Sequence, residues 1–367
     1  MKRKKNKTAE TDRSVEEILS GQARFWRFSD LLRKVYRGAQ PLASRLTERL
    51  TEYDDCEDRE GTARKVRNWM HDRNLPKSRE ELFKICFALD LDEERTEQVL
   101  GITSESGIHY RNPRELIYAF CLRKGIDYSQ AVIMVENLWE NTLSKKQSDN
   151  HSSAPSLSHA NLTGSVRQRF HMVTTENELR EFLKSSAHKF GRYHNTAYRK
   201  FRKMLDCLVQ PESVDGVLPE DQNYSIRKAV DQYLRMGIPY ERKSAHYSEI
   251  QREIKHHWPS AKSIYEMCSQ KIDIDRKTLL LLYIATEGES ELRPDDQRRT
   301  EEHQRRMDLM LAECGMPVLN ILCPFDYLVI RAVSGADEDD FIGSRMERMV
   351  RKIFGRDKTA AYLTSEE

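Results

Sequence analysis

Three cations and an asparagine share one short stretch of the sequence, "TARKVRNWM" at residues 62–70. In a helix, Ala63, Val66, Trp69 and Met70 would form one apolar face. The polar residues would then point away from it: Arg64, Lys65, Arg67 and Asn68. Arg and Lys donate to guanine edges and phosphates, and Asn pairs with adenine edges, so this set suits a nucleic-acid duplex. The alternative interpretation is the solvated face of a packed helix.

A second cationic helix is predicted in "HKFGRYHNTAYRKFRKMLDCL" at 188–208. Its apolar side would hold Tyr198, Phe201, Leu205 and Leu208. The opposite side carries the cations Arg199, Lys200, Arg202 and Lys203. Such a helix can lie along phosphates, dock an acidic protein or touch an anionic membrane. We expect phosphate contact, because the apolar side is narrow and has the character of core.

Catalytic and metal-binding patterns are weak. The sequence has no nucleophile elbow, P-loop, dinucleotide-binding glycine motif or H-E-x-x-H, and its many carboxylates carry little information about acid–base chemistry. Its seven cysteines lack C-x-x-C spacing, which indicates reduced thiols in the cytoplasm rather than zinc ligands. We therefore predict no enzyme activity, catalytic residue, metal or cofactor. A metal-dependent nuclease with scattered Asp and Glu ligands stays an alternative.

Composition indicates a multidomain, all-α protein. One third of the 367 residues are charged, yet apolar residues recur at helical spacing and strand patterns are almost absent. The net charge is only +2, so affinity for nucleic acid must come from local patches. The longest apolar run, at 278–285, has the length of a core helix, and no apolar run follows the basic residues 2–7. We expect neither a membrane span nor a signal peptide.

Composition shifts divide the chain into segments. Residues 144–165 are rich in Ser and Asn and predict a flexible linker. A helical domain at 1–143 would precede this linker. A basic helical region at 166–209 and a C-terminal helical domain at 223–367 would follow it, separated by a loop with Pro and Gly.

Capping signals place several helix starts. Ser78 and Glu81 form the pattern of a capping box before an apolar stripe. Asn112, Pro113 and Glu115 combine an N-cap, a first-turn proline and an acidic third position.

Two segments of the sequence also resemble each other. Residues 99–122 align without gaps on residues 310–333, with Leu100 on Leu311, Pro113 on Pro324 and Glu115 on Asp326. Each segment predicts a helix, a loop and a helix that starts with proline. Either the architecture is duplicated, or the same capping pattern occurs twice by coincidence.

Residues 62–101 resemble the end of a lambda-repressor-like (XRE-type) helix-turn-helix domain. In that pattern a recognition helix ends in Trp, here Trp69, a loop carries Pro76, and the next helix closes at 88–91. The chain departs from the pattern upstream, where an acidic run at 54–60 precedes the recognition helix. These carboxylates would either repel phosphate or cap the helix N-terminus.

The resemblance implies a sequence-specific, duplex-DNA-binding regulator of transcription, of bacterial or phage type, for mobile or accessory genes. Arg64, Arg67 and Asn68 would contact base edges, while Lys65 and the cations at 199–203 would contact phosphates. Helix-turn-helix proteins usually bind half-sites as dimers, so we expect a homo-oligomer. The alternative is a helical scaffold that binds a protein partner in a defence or toxin-control complex.

Overall fold

The computed structural model describes residues 12–54, 58–104, 106–140, 162–190, 195–209, 225–239, 247–286, 296–334 and 341–355. Within these ranges every regular element is helical, which confirms the all-α prediction. The described residues form two compact units. The first unit spans Trp26–Thr196 with Ala312–Pro317, and the second spans Met1–Phe25, Ala197–Leu311 and Val318–Glu367.

The described residues of the first unit form nine α-helices and a short 3-10 helix at Ala187–Lys189. The α-helices are α2 (Phe28–Val35), α3 (Leu42–Tyr53), α4 (Arg59–Met70), α5 (Arg79–Ala88), α6 (Glu93–Ser104), α7 (Pro113–Lys124), α8 (Tyr128–Val135, continued by a π-helical turn at Glu136–Glu140), α9 (Leu162–His171) and α10 (Glu176–Ser186).

The helices of the second unit begin with α1 at residues 12–19. The others are α11 (Asn195–Val209), α12 (Ile226–Ala229, continued by a π-helical turn at Val230–Leu234), α13 (Glu249–Lys255), α14 (Ala261–Cys268), α15 (Arg276–Thr286), α16 (Asp296–Glu313), α17 (Pro324–Ser334) and α18 (Ile342–Ile353).

Helix packing in the first unit surrounds α5. Helix α3 packs against α4 and α5, and α2 packs against α4 and α6. The shared core contains Leu46 and Leu50 from α3, Val66 and Trp69 from α4, and Leu82 from α5. Burial of these apolar side chains fixes the position of α4.

In the second unit, α15 is the central element. Its residues 276–284 are all buried, and it packs against α18 and the π-helical turn after α12. Helix α17 packs against α13 and α18, while α12 packs against α14. A helix that is buried on every side belongs to the interior of its unit, which explains the apolar run at 278–285.

The predicted side-chain caps are present, but the carboxylates of Glu81 and Glu115 do not bind the backbone N–H of the N-cap residue. Ser78 Oγ accepts from the Glu81 backbone N–H at 3.1 Å, but the Glu81 carboxylate accepts from Lys77 N rather than Ser78 N. Asn112 caps α7 by accepting from Arg114 N, whereas Glu115 points to the side chain of a distant arginine. Local signals thus located both helix starts, while the partners of the two carboxylates differ from those that a capping box predicts.

The predicted segments and the two units divide the chain at different places. Residues 144–161 of the predicted linker lie outside the described residues, and residues 162–165 already belong to α9. Helix α9 joins the first unit because Phe170 is buried there against Phe182 and Tyr110. The predicted basic region at 166–209 is shared between the units, since its residues belong to the first unit up to Thr196 and to the second from Ala197.

Candidate nucleic-acid interface

Helix α4 is held at both ends. Asp58 caps its first turn by accepting from the Gly61 backbone N–H. At the other end, Asp72 adopts a left-handed conformation with φ of 53°. Its carboxylate accepts from the Ser29 backbone N–H at 2.9 Å and from the Ser29 hydroxyl at 2.8 Å. These contacts tie α4 to α2. One residue of the acidic run therefore caps the helix, and Asp55 and Glu57 lie outside the described residues.

The apolar face of α4 is the predicted one, with one addition. Val66 and Trp69 are 1% and 2% exposed, and Ala63 and Met70 are half-buried. Thr62 is also completely buried. Its position four residues before Val66 is the helical spacing that could have identified it.

The polar face separates into an exposed pair and a half-buried pair. Arg64 and Arg67 are exposed and lie one turn apart, and no ion pair forms on either within the described part of the chain. Lys65 and Asn68 are half-buried. Arg64 and Arg67 can therefore reach a ligand without first breaking a salt bridge.

A groove of about 430 Å³ runs beside α4. It contains three of the four predicted contact residues of this helix, whereas Arg67 lies outside it. The lining residues are Gly61, Arg64, Lys65, Asn68, Trp69, Asn74, Leu75, Lys77 and Glu81. The groove combines hydrogen-bond donors with one carboxylate.

That carboxylate, Glu81, is already engaged. Its Oε1 lies 3.3 Å from Lys65 Nζ, and its Oε2 accepts from the Lys77 backbone N–H at 2.6 Å. Lys65 Nζ also lies 5.9 Å from the centre of the Trp69 ring, within cation–π range. Lys65 therefore forms a salt bridge, and a phosphate would have to compete with Glu81 for it.

The second predicted patch lies on α11, in the other unit. Its buried side contains Phe201, Leu205 and Leu208, as predicted, while Tyr198 is half-buried and donates to the Cys268 carbonyl at 3.1 Å. The structure therefore places α11 against the C-terminal end of α14.

The four cations of α11 differ in their surroundings. Arg202 donates to Cys268 Sγ at 3.3 Å and to Asp206 at 3.1 Å. Lys203 is exposed, and Arg199 and Lys200 are half-buried. Arg199 and Lys203, one turn apart, are the pair best placed to meet a phosphate.

Sequence reasoning missed a cleft of about 420 Å³ lined by Arg37, Arg45 and Arg95. Arg45 donates to the Ala88 carbonyl at 3.0 Å and pairs with Asp90 at 2.6 Å. These arginines come from separate parts of the chain, so no local pattern could have grouped them. Two of them are held by neighbouring acids, since Arg95 pairs with Asp92.

We also searched the described residues for metal sites, disulfides and membrane-spanning helices. No three His, Cys, Asp or Glu side chains there are placed to hold a metal ion. The six cysteines described form no disulfide. No described helix combines the length and apolar character needed to cross a membrane. The chain matches no protein-family model, no curated protein and no solved structure.

Proposed function

We propose that the protein binds duplex DNA through α4 and acts in the cytoplasm as a sequence-specific regulator of transcription of mobile or accessory genes. The observation that carries this proposal is the pair Arg64 and Arg67. Both are exposed, lie one turn apart and have no acidic partner within the described residues. Their helix is anchored by Val66 and Trp69.

An anchored helix with free guanidinium groups suits the major groove. The groove of B-DNA admits an α-helix, and a guanidinium donates two hydrogen bonds to the O6 and N7 of guanine. Arg64, Arg67 and Asn68 would contact base edges. The buried side chains would keep the angle of α4 constant, which base reading requires.

Phosphate contacts would add affinity without sequence preference. Lys65 on α4 and the cations at 199–203 on α11 are proposed for this role, with Arg199 and Lys203 the least engaged of the latter. Each phosphate neutralised releases condensed counterions, so binding should weaken steeply as salt rises. A homo-oligomer would place two copies of α4 on two half-sites.

The experiment is selection of duplexes from a random-sequence pool by the full-length protein, followed by affinity measurements from about 50 to about 200 mM salt. The proposal expects an enriched sequence, with affinity that falls as salt rises. Recovery of no duplex, or of duplexes without a common sequence, would contradict it and direct attention to protein partners.

A further inference from the structure

Each unit contains an arginine that binds both oxygens of a buried carboxylate, half-buried Arg79 in the first and buried Arg276 in the second. In the first unit, Arg79 donates to the two carboxylate oxygens of Glu115 at 2.8 and 2.6 Å. In the second, Arg276 donates to both oxygens of Asp326 at 2.6 and 2.7 Å. Both arginines begin a helix, α5 or α15, and both acids occupy the third position of a helix that starts with proline, α7 or α17.

The loops around these pairs repeat the same hydrogen bonds. Arg79 Nη2 donates to the Gly107 carbonyl at 2.8 Å, and Arg276 Nη2 donates to the Val318 carbonyl at 3.1 Å. In the gapless alignment of 99–122 with 310–333, Gly107 falls on Val318.

A backbone N–H completes each arrangement. His109 N donates to Glu115 at 2.8 Å, and Asn320 N donates to Asp326 at 2.8 Å. His109 falls on Asn320 in the same alignment. A coincidence of capping signals explains the prolines and the acids. Arg79 binds its acid through Nε and Nη2, and Arg276 through Nη1 and Nη2, but in both units one carboxylate oxygen accepts from Nη2 and from the loop N–H. Capping signals do not explain this shared contact with an arginine that lies 36 residues before the acid in one unit and 50 in the other.

The correspondence continues toward the N-terminus. Helices α4 and α14 are each followed by a residue with φ of 53°, Asp72 and Gln270. The next helix is then capped by a side chain, Ser78 for α5 and Asp275 for α15. With Asp72 placed on Gln270, the buried Trp69 falls on the buried Met267. The shared elements therefore run from α4 to α7 and from α14 to α17.

We infer that residues 59–124 and 261–334 are two copies of one helical module, and that only the first copy reads bases. The second half of this inference rests on the proposed function. The same superposition puts Lys262 on Arg64, Tyr265 on Arg67 and Glu266 on Asn68. Lys262 pairs with Glu266 at 3.7 Å, and Tyr265 is 52% exposed.

The second copy thus lacks the free guanidinium pair. Further cations near the second copy belong to α11, which contacts α14 through Tyr198 and Arg202 at Cys268. The helix of the second copy that corresponds to α4 therefore offers no pair of exposed guanidinium groups, and we assign only phosphate contacts to this copy.

The duplication is tested on the full chain without DNA, by hydrogen exchange of R79K and R276K, with R180K on the exposed face of α10 as control. Lysine keeps the charge but loses the paired donors. The expected result is exchange at least about tenfold faster at His109 in R79K and at Asn320 in R276K, with R180K unchanged. Acceleration in one loop while the other stays protected would overturn the duplication.

The difference between the copies is tested by placing the four polar residues of α4 at the corresponding positions of α14. The variant K262R/S263K/Y265R/E266N is made in the R64A/R67A background, and its affinity for a random-sequence duplex is measured at low salt. The control, E176Q/E181R in the same background, adds the same charge to α10. We expect the variant to bind the duplex at least about tenfold more tightly than the control. Equal affinity of the variant and the control, with α14 still protected from hydrogen exchange, would overturn the inference. If the wild-type protein binds no duplex, the proposed function fails, while the exchange result still decides the duplication.

Discussion

Lys65 and Glu81 form an ion pair across the groove beside α4, with 3.3 Å between Nζ and Oε1. The carboxylate belongs to α5, so the pair joins the proposed recognition helix to the next helix of the unit. It also places a negative charge among the cations that would face phosphates. Glu81 is therefore expected to limit the affinity for DNA.

Replacement of Glu81 by Gln should strengthen DNA binding. The amide removes the repulsion, releases Lys65, and can still accept from the Lys77 backbone N–H. We expect affinity to rise by about threefold to tenfold, and the plot of log affinity against log salt to steepen by about one phosphate contact. Fluorescence anisotropy with labelled duplex measures both. E176Q, on the exposed face of α10, should change neither quantity. Weaker or unchanged binding by E81Q would contradict the role given to Lys65.

Loss of the N-cap of α4 should destabilise the first unit. Asp58 accepts from the Gly61 backbone N–H, and an N-cap of this kind contributes about 1 kcal/mol. D58A should lower the free energy of unfolding by that amount in denaturant titrations, while D58N, which keeps the acceptor, should stay near wild type. Equal losses in the two variants would assign the effect to charge instead of the hydrogen bond.

Loss of the arginine should destabilise the protein more in the Arg276–Asp326 pair of the second unit than in the Arg79–Glu115 pair of the first. Side-chain exposure is 4% and 1% for Arg276 and Asp326, against 31% and 9% for Arg79 and Glu115. R276Q would leave a buried carboxylate without its cation, which costs about 3–5 kcal/mol. R79Q should cost less, because water can reach its site. Chemical denaturation followed by circular dichroism gives both values. An R276Q variant with the wild-type free energy of unfolding would contradict this ranking.

Acid should destabilise the first unit through Glu115. Burial raises the pKa of this carboxyl, but the charge and hydrogen bonds of Arg79 outweigh burial and leave the pKa below its ordinary 4.5. The unfolded chain then binds the proton more readily, so the stabilisation is complete above pH 4.5 and is lost as the pH falls through the folded pKa.

The measurement for this effect is the free energy of unfolding as a function of pH. In E115Q the acid-dependent slope below pH 4.5 should become shallower than in wild type. E176Q serves as the control, because Glu176 is an exposed carboxylate in an intrahelical ion pair. Identical slopes in E115Q and wild type would show that Glu115 does not govern the acid response.

Local interactions were predictable from sequence, and long-range ones were not. Ser78 and Asn112 start helices because a side-chain oxygen meets a backbone N–H two or three residues away. Val66 and Trp69 follow from helical periodicity alone. By contrast, the partner of Glu115 lies 36 residues away. The sequence offers many arginines and no local rule to choose among them.

The division of the chain was harder to infer for a similar reason. Helix α9 follows a Ser-rich stretch and has few apolar residues, so composition favoured a linker up to residue 165. Phe170 nevertheless brings it into the first unit by packing against Phe182. One large aromatic side chain can decide which unit a helix joins, because its burial removes much apolar surface from water.

The central claim is that Arg64 and Arg67 read base edges. The most direct measurement compares wild type, R64A/R67A and the control R180A/K184A on a selected duplex and a random one, across a salt series. The account predicts that only R64A/R67A loses discrimination, by about 1–3 kcal/mol for each base contact removed. Discrimination that is absent in wild type, or equally reduced in the control, would contradict it and leave α4 as a packed helix with a solvated face.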